Sequence, residues 1–210
     1  MKKTTLVLSL LLIQSGVTKS YASTTVGAVG AYNNSNVSLT QSNADTTTSS
    51  NNEFGGGLLI TSQFYRRLGA EIGFFYLQNK SDFSLSGNFT GSGNSTWDTI
   101  QIPIMIRFWL FPALSLGAGG YIEHLVGSVK SVTTLTSPFA ITDTQSNTPT
   151  PTEGFGAVVS VQFQIPLWRK LKWVVDGRYE IGLTEFSGLG NGSSAKSNHL
   201  LILSGLGLHF

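Results

Sequence analysis

Cysteine is absent from all 210 residues, which excludes disulfides, iron–sulfur clusters and thiolate zinc sites. It also excludes a lipid anchor of the lipoprotein kind, which needs a cysteine at the cleavage site; the absence does not by itself name a compartment. Charge is scarce, at 11% of residues. Long apolar runs are missing too: the apolar stretch of residues 6–17 falls short of the ~20 residues a membrane-spanning helix needs. The small basic excess is confined to the N-terminus. Without Lys2, Lys3 and Lys19 the basic count falls from 13 to 10 against 11 acids, a net charge of −1, so nothing argues for a nucleic-acid partner. The Gly-x-Gly pairs Gly55/Gly57, Gly117/Gly119 and Gly205/Gly207 open no helix after a strand, so they make no phosphate loop.

What the N-terminus does carry is a pattern of export. Lys2 and Lys3 precede the apolar run of residues 6–13, and Ser20-Tyr21-Ala22 follows as a small-residue cleavage site. Residues 1–22 therefore read as a signal peptide cleaved after Ala22, and residues 23–210 as one domain.

The stretch of residues 99–123 shows how that domain is built. Ile100, Ile102, Ile104, Ile106, Phe108 and Leu110 occupy every second position, with Gln101, Pro103, Met105, Arg107 and Trp109 between them. A period of two is a strand with one wholly apolar face. Eleven residues at roughly 3.3 Å each, tilted by about 45°, cover about the 25 Å apolar band of a membrane barrel. Pro112 and Ala113 turn the chain, and Leu114, Leu116, Ala118, Gly120 and Ile122 resume the alternation.

The same rhythm runs along the chain. Strands are predicted over residues 24–32, 53–64, 68–78, 99–111, 114–123, 153–167, 171–185 and 198–210. Short turns at 65–67, 112–113 and 168–170 alternate with polar loops at 33–52, 79–95, 125–152 and 186–197. The fold expected is all-β: an eight-stranded antiparallel up-and-down transmembrane β-barrel with four long outer loops and three short periplasmic turns. Aromatics suit interfacial girdles, with Phe64, Tyr65, Trp109, Phe111, Trp168 and Trp173 near the short turns and Tyr32, Tyr76 and Trp97 toward the loops. A soluble lipocalin-like barrel would turn polar residues outward, which the fourth and sixth strands do not do. Pro103, inside the fourth strand, predicts a bulge or an inward kink that re-aims Arg107. The first strand is too weakly patterned to give a register.

The segments IQIPIMIRF, GAGGYIEHLVG, GFGAVVSVQFQI and DGRYEIGLTEFSG together resemble the bacterial outer-membrane β-barrel domain family, the porin-family proteins of small eight-stranded build such as OmpX and the OmpA membrane domain. The resemblance covers the domain, most clearly from residue 96 onward. It implies residence in the cell outer membrane among phospholipid and lipopolysaccharide. It also implies recognition of the final strand, with Leu206, Leu208 and Phe210, by the barrel-assembly machinery. Neither a periplasmic domain after the last strand nor peptidoglycan binding is expected.

Inward positions gather Glu53, Glu71, Glu123, Asp176 and Glu180 with Arg107 and Arg178. Unpaired charges in so narrow a lumen would be costly, so these seven are expected to form an ion-pair network. The alternative is that the two arginines constrict a narrow, cation-leaning pore. A lipid A-modifying enzyme is the remote alternative. It would rest on His124, four residues before Ser128, without the close His-x-Ser spacing of such barrels. The function expected is that of a non-enzymatic envelope scaffold without cofactor or metal, whose loops serve recognition of a surface ligand or adhesion.

Overall fold

The computed structural model describes residues 23–40, 45–86, 90–137, 141–147, 152–184, 186–187 and 194–210; the signal-peptide segment and its cleavage site lie outside them. The strands are β1 (Ser23–Thr40), β2 (Asp45–Tyr65), β3 (Leu68–Ser86), β4 (Thr90–Phe111) and β5 (Leu114–Ser137), then the short β6 (Ile141–Asn147). They continue with β7 (Glu153–Trp168), β8 (Leu171–Gly182), a two-residue β9 (Phe186–Ser187) and β10 (Ser194–His209). Eight of them close an antiparallel barrel in the order β1-β2-β3-β4-β5-β7-β8-β10, with β10 returning to β1; β6 extends the sheet beside β5, and β9 adds to β10. Closure leaves no unpaired sheet edge where the barrel meets lipid.

Alternation decides which side of the wall each residue takes. Ile104, Ile106 and Phe108 on β4, and Phe155, Val159, Val161 and Phe163 on β7, are exposed on the outside. So are Leu58, Ile60, Ile72, Phe74, Ile122, Leu200 and Ile202 on four further strands. A contiguous apolar belt around the whole molecule is far beyond what a water-soluble monomer shows. Hydrocarbon is the solvent that matches it.

The weakly patterned first strand finds its register from both neighbours, with Val26 opposite Ile60 of β2 and Leu208 of β10. Its inward Val29 and Ala31 join Leu59, Phe75, Leu77, Val174, Leu201 and Leu203 in an apolar cluster that fills one side of the lumen.

Three expectations are corrected. The polar stretches taken for loops are largely strand: β1 runs on to Thr40 and β2 starts at Asp45, β3 reaches Ser86 and β4 starts at Thr90, and β5 continues to Ser137. Beyond the apolar belt, hairpin pairing needs only backbone partners, so strands propagate through Thr- and Ser-rich sequence without an apolar face. Trp109 is not a girdle residue. It shares the inward parity of Arg107 and is 7% exposed, and Gly69 makes room for it, since a Cβ there would stand 2.6 Å from the indole Cζ3.

Pro103 causes no bulge. It stays in register opposite Tyr121 of β5. On the β3 side the same register holds from Ile72–Ile104 to Phe75–Gln101, and the ladder simply opens between them, at Gly73 and Phe74. A missing N–H explains that opening, and Gly73 admits the ring, its added Cβ falling 3.0 Å from Pro103 Cγ. Pro103→Thr restores a donor to this gap. Its unfolding free energy, read from urea titration, is expected above that of the wild type by about 0.5–1.5 kcal/mol; a lower value would show that the packed ring matters more than the bond.

Candidate functional site

The inward polar residues meet near mid-barrel. Arg107 on β4 donates from Nε to Glu71 Oε2 at 2.7 Å and from Nη2 to Asp176 Oδ2 at 2.6 Å. Arg178 on β8 donates from Nη2 to Glu71 Oε1 at 2.5 Å and to Asp176 Oδ2 at 2.8 Å, and from Nε to Asp176 Oδ2 at 3.0 Å. Two cations and two anions thus cancel, each arginine touching both carboxylates. Neutral donors add to the shell: Thr61 Oγ1 and Gln162 Nε2 to Glu71 Oε2 at 2.9 and 3.1 Å. Arg107 Nη1 in turn donates to Ser115 Oγ at 3.3 Å. The Arg178 guanidinium also lies 5.0 Å from the Phe75 ring centroid, a cation–π contact with the apolar side of the lumen.

The bonded side chains come from β2, β3, β4, β5, β7 and β8, so they tie opposite walls together across the lumen. All four charged groups are 2% exposed or less. One layer toward the long-connection end, Gln101 Nε2 donates to Glu180 Oε2 at 2.7 Å, a second β4–β8 link. Toward the turn end, Lys172 Nζ donates to Gln164 Oε1 at 3.3 Å, and Gln164 Nε2 to Gln162 Oε1 at 2.8 Å.

The structure therefore joins Glu71, Arg107, Asp176 and Arg178 directly and reaches Glu180 through Gln101. Glu123 is buried on β5 opposite Gln101, and Glu53 is half-buried on β2 opposite Asn33; neither is in an ion pair among the described residues. Leu206, Leu208 and Phe210 are exposed on the outer wall. His124 points outward, and Ser128 Oγ is 2.7 Å from Ser146 Oγ rather than bonded to the imidazole. Among the described residues no group of three or more metal-ligating side chains forms. Sequence reasoning missed the glutamine relay and the apolar half of the lumen. The signal was present, because Gln101, Gln162, Gln164, Leu201 and Leu203 all hold inward parity.

A closed barrel with lipid-matched walls and a charged, packed interior is an integral membrane protein of the outer-membrane type. The chain belongs to the outer membrane protein beta-barrel domain family, whose model matches residues 18–188. That membership places it in the cell outer membrane; in barrels of this build the short turns face the periplasm. No curated protein matches it. Among solved structures, the outer membrane protein OprG from Pseudomonas aeruginosa is 13% identical, over 91% of this chain and 97% of that one, with a TM-score of 0.53. That likeness shows the fold. Ail, the attachment invasion locus protein of Yersinia pestis, is 14% identical over 90% of this chain and 99% of its own, at 0.45. The outer membrane protease OmpT from Escherichia coli is 10% identical over 93% and 99%, at 0.41.

Proposed function

We propose that this protein is a non-enzymatic scaffold of the outer membrane whose lumen is closed by its ion-pair cluster and whose long outer hairpins meet external surfaces. The observation that carries the reading is the direct bonding of Arg107 and Arg178 to carboxylates on facing walls, with no charge left over among the four. Such a cluster has no conducting path that does not first break charge-assisted hydrogen bonds. The strands that outrun the apolar belt present backbone and short polar side chains to the exterior, which suits recognition of a surface ligand or adhesion. Phospholipid and lipopolysaccharide surround the belt, and the barrel-assembly machinery reads the Leu206, Leu208 and Phe210 face of β10 during insertion.

Planar-bilayer recording of the refolded protein checks this. The expected record shows no steady unitary conductance at moderate voltage, and Arg107→Ala introduces flickering openings. A steady, cation-selective conductance in the wild type would make the protein a narrow channel instead.

A further inference from the structure

The turn end of the barrel carries cationic side chains alone, whereas the outer end carries both signs, with Lys80, Lys130 and Lys196 among its acids. Arg66, Arg67, Arg169, Lys170 and Lys172 all belong to the periplasmic turns or their first residues, and the segments that build this end, 65–68, 111–114, 168–172 and 206–210, hold no acidic residue. Asp45, Asp82, Asp98, Asp143 and Glu153 lie toward the outer end. At the periplasmic mouth a cavity of about 490 Å³ opens, lined among others by Arg66, Arg67, Lys172, His209, Gln63 and the buried Trp109. Arg66, Arg67 and Lys172 make no ion pair among the described residues. Lys172 has only the neutral amide oxygen of Gln164.

The mouth is also held in shape. Trp109 N–H donates to the Arg67 carbonyl at 2.8 Å, Gln164 N–H to the Ala113 carbonyl at 2.8 Å and His209 N–H to the Lys170 carbonyl at 2.7 Å, so each of the three turns is tied to a strand beside it. The Gln63 side-chain amide further caps the Arg66 carbonyl. Like charges gathered on tied turns around a cavity repel one another, and a multivalent anion relieves that repulsion. Arginine forks match the oxygens of a phosphate group, and a lysine adds a point charge.

We propose that the periplasmic mouth is a binding site for a phosphate-bearing anion, held by Arg66, Arg67 and Lys172 beside Trp109. Trp109 and Lys172, which line the cavity, belong to the inward face of their strands, so a soluble phosphorylated solute of the periplasm is the favoured source. A phospholipid headgroup of the periplasmic leaflet offers the same chemistry.

Calorimetric titration of pyrophosphate, at fixed ionic strength, into the full chain in phosphatidylcholine nanodiscs tests the site. The wild type is expected to bind saturably. Lys172→Met, and Arg66→Gln with Arg67→Gln, weaken binding by about tenfold or more, while Arg169→Gln, which removes charge from a turn residue outside the cavity lining, leaves it unchanged. Heat-modifiable migration on unboiled gels shows that each variant is a folded barrel. In discs containing phosphatidylglycerol, an unchanged affinity assigns the site to soluble phosphate, and a fall of about tenfold shows that the headgroup occupies it. No saturable binding by the wild type, or equal weakening by Arg169→Gln, overturns the proposal.

Discussion

Arg107→Met alone is expected to lower the unfolding free energy of the barrel by about 3–5 kcal/mol, because it leaves two buried carboxylates to share a single cation. Arg107 supplies the Nε bond to Glu71 and the Nη2 bond to Asp176, and both carboxylates are sealed from solvent. Arg178, whose Nε and Nη2 already bond the same two groups, cannot balance both, since one cation does not neutralise two anions. The loss comes from the remaining anions more than from the bonds themselves. Removing Asp176 as well, in Arg107→Met with Asp176→Asn, leaves the neutral pair Arg178–Glu71 and is expected to recover much of the stability. Urea unfolding in lipid vesicles measures both. A change within about 1 kcal/mol for Arg107→Met would mean that the cluster behaves like screened surface pairs, and the closed-lumen reading would fall with it.

Gly205→Val is expected to prevent closure of the barrel. Gly205 stands opposite Val29 in the β1–β10 seam. An added Cβ would collide with the Ala28 carbonyl oxygen and lie 2.6 Å from Val29 Cα and 2.8 Å from the Ala28 carbonyl carbon. All three are backbone atoms, so nothing yields except the seam itself. An opened seam leaves two rows of unpaired N–H and C=O groups in hydrocarbon, where no water can bond them. The cost expected is above about 4 kcal/mol, read as loss of the heat-modifiable folded band. Gly177→Ala is the control: a Cβ there meets nothing within 4 Å, and the variant is expected to fold as the wild type does. Normal migration of Gly205→Val would show that the seam is looser than its backbone spacing implies.

Facial pattern was the most legible level. Over residues 100–110 of β4 and most of β7 every second residue is a large apolar one, so the lipid side, the inward side and the membership of Arg107 and Gln162 in the interior could be read from period alone. Turn positions were legible too, because Arg66–Arg67, Pro112–Ala113 and Arg169–Lys170 interrupt the alternation where the chain reverses. Trp109 shows how a compositional cue misleads. Its closeness to a turn suggested an interfacial anchor, while its parity with Arg107 already placed it inside, and parity is the stronger constraint because it is imposed by the pleat. Strand length beyond the belt was not legible, since pairing in water leaves no apolar trace in the sequence. Pro103 could not be resolved from its own strand, because what accommodates it is Gly73 on the neighbouring one.

The sequence by itself determined that this chain crosses a membrane with eight strands, which face of each meets lipid, and which charges point inward. Those features depend on residues one or two positions apart, within reach of a local pattern. Only the tertiary structure decided that Glu71 and Arg178, separated by 107 positions, share a proton-donating bond, that two of the five inward acids pair directly with the arginines, and that the periplasmic cations gather around one cavity. Closing the sheet is what sets these distances, because the strand opposite a given residue across a barrel follows from strand number and stagger around the whole ring. No stretch of chain carries that information alone.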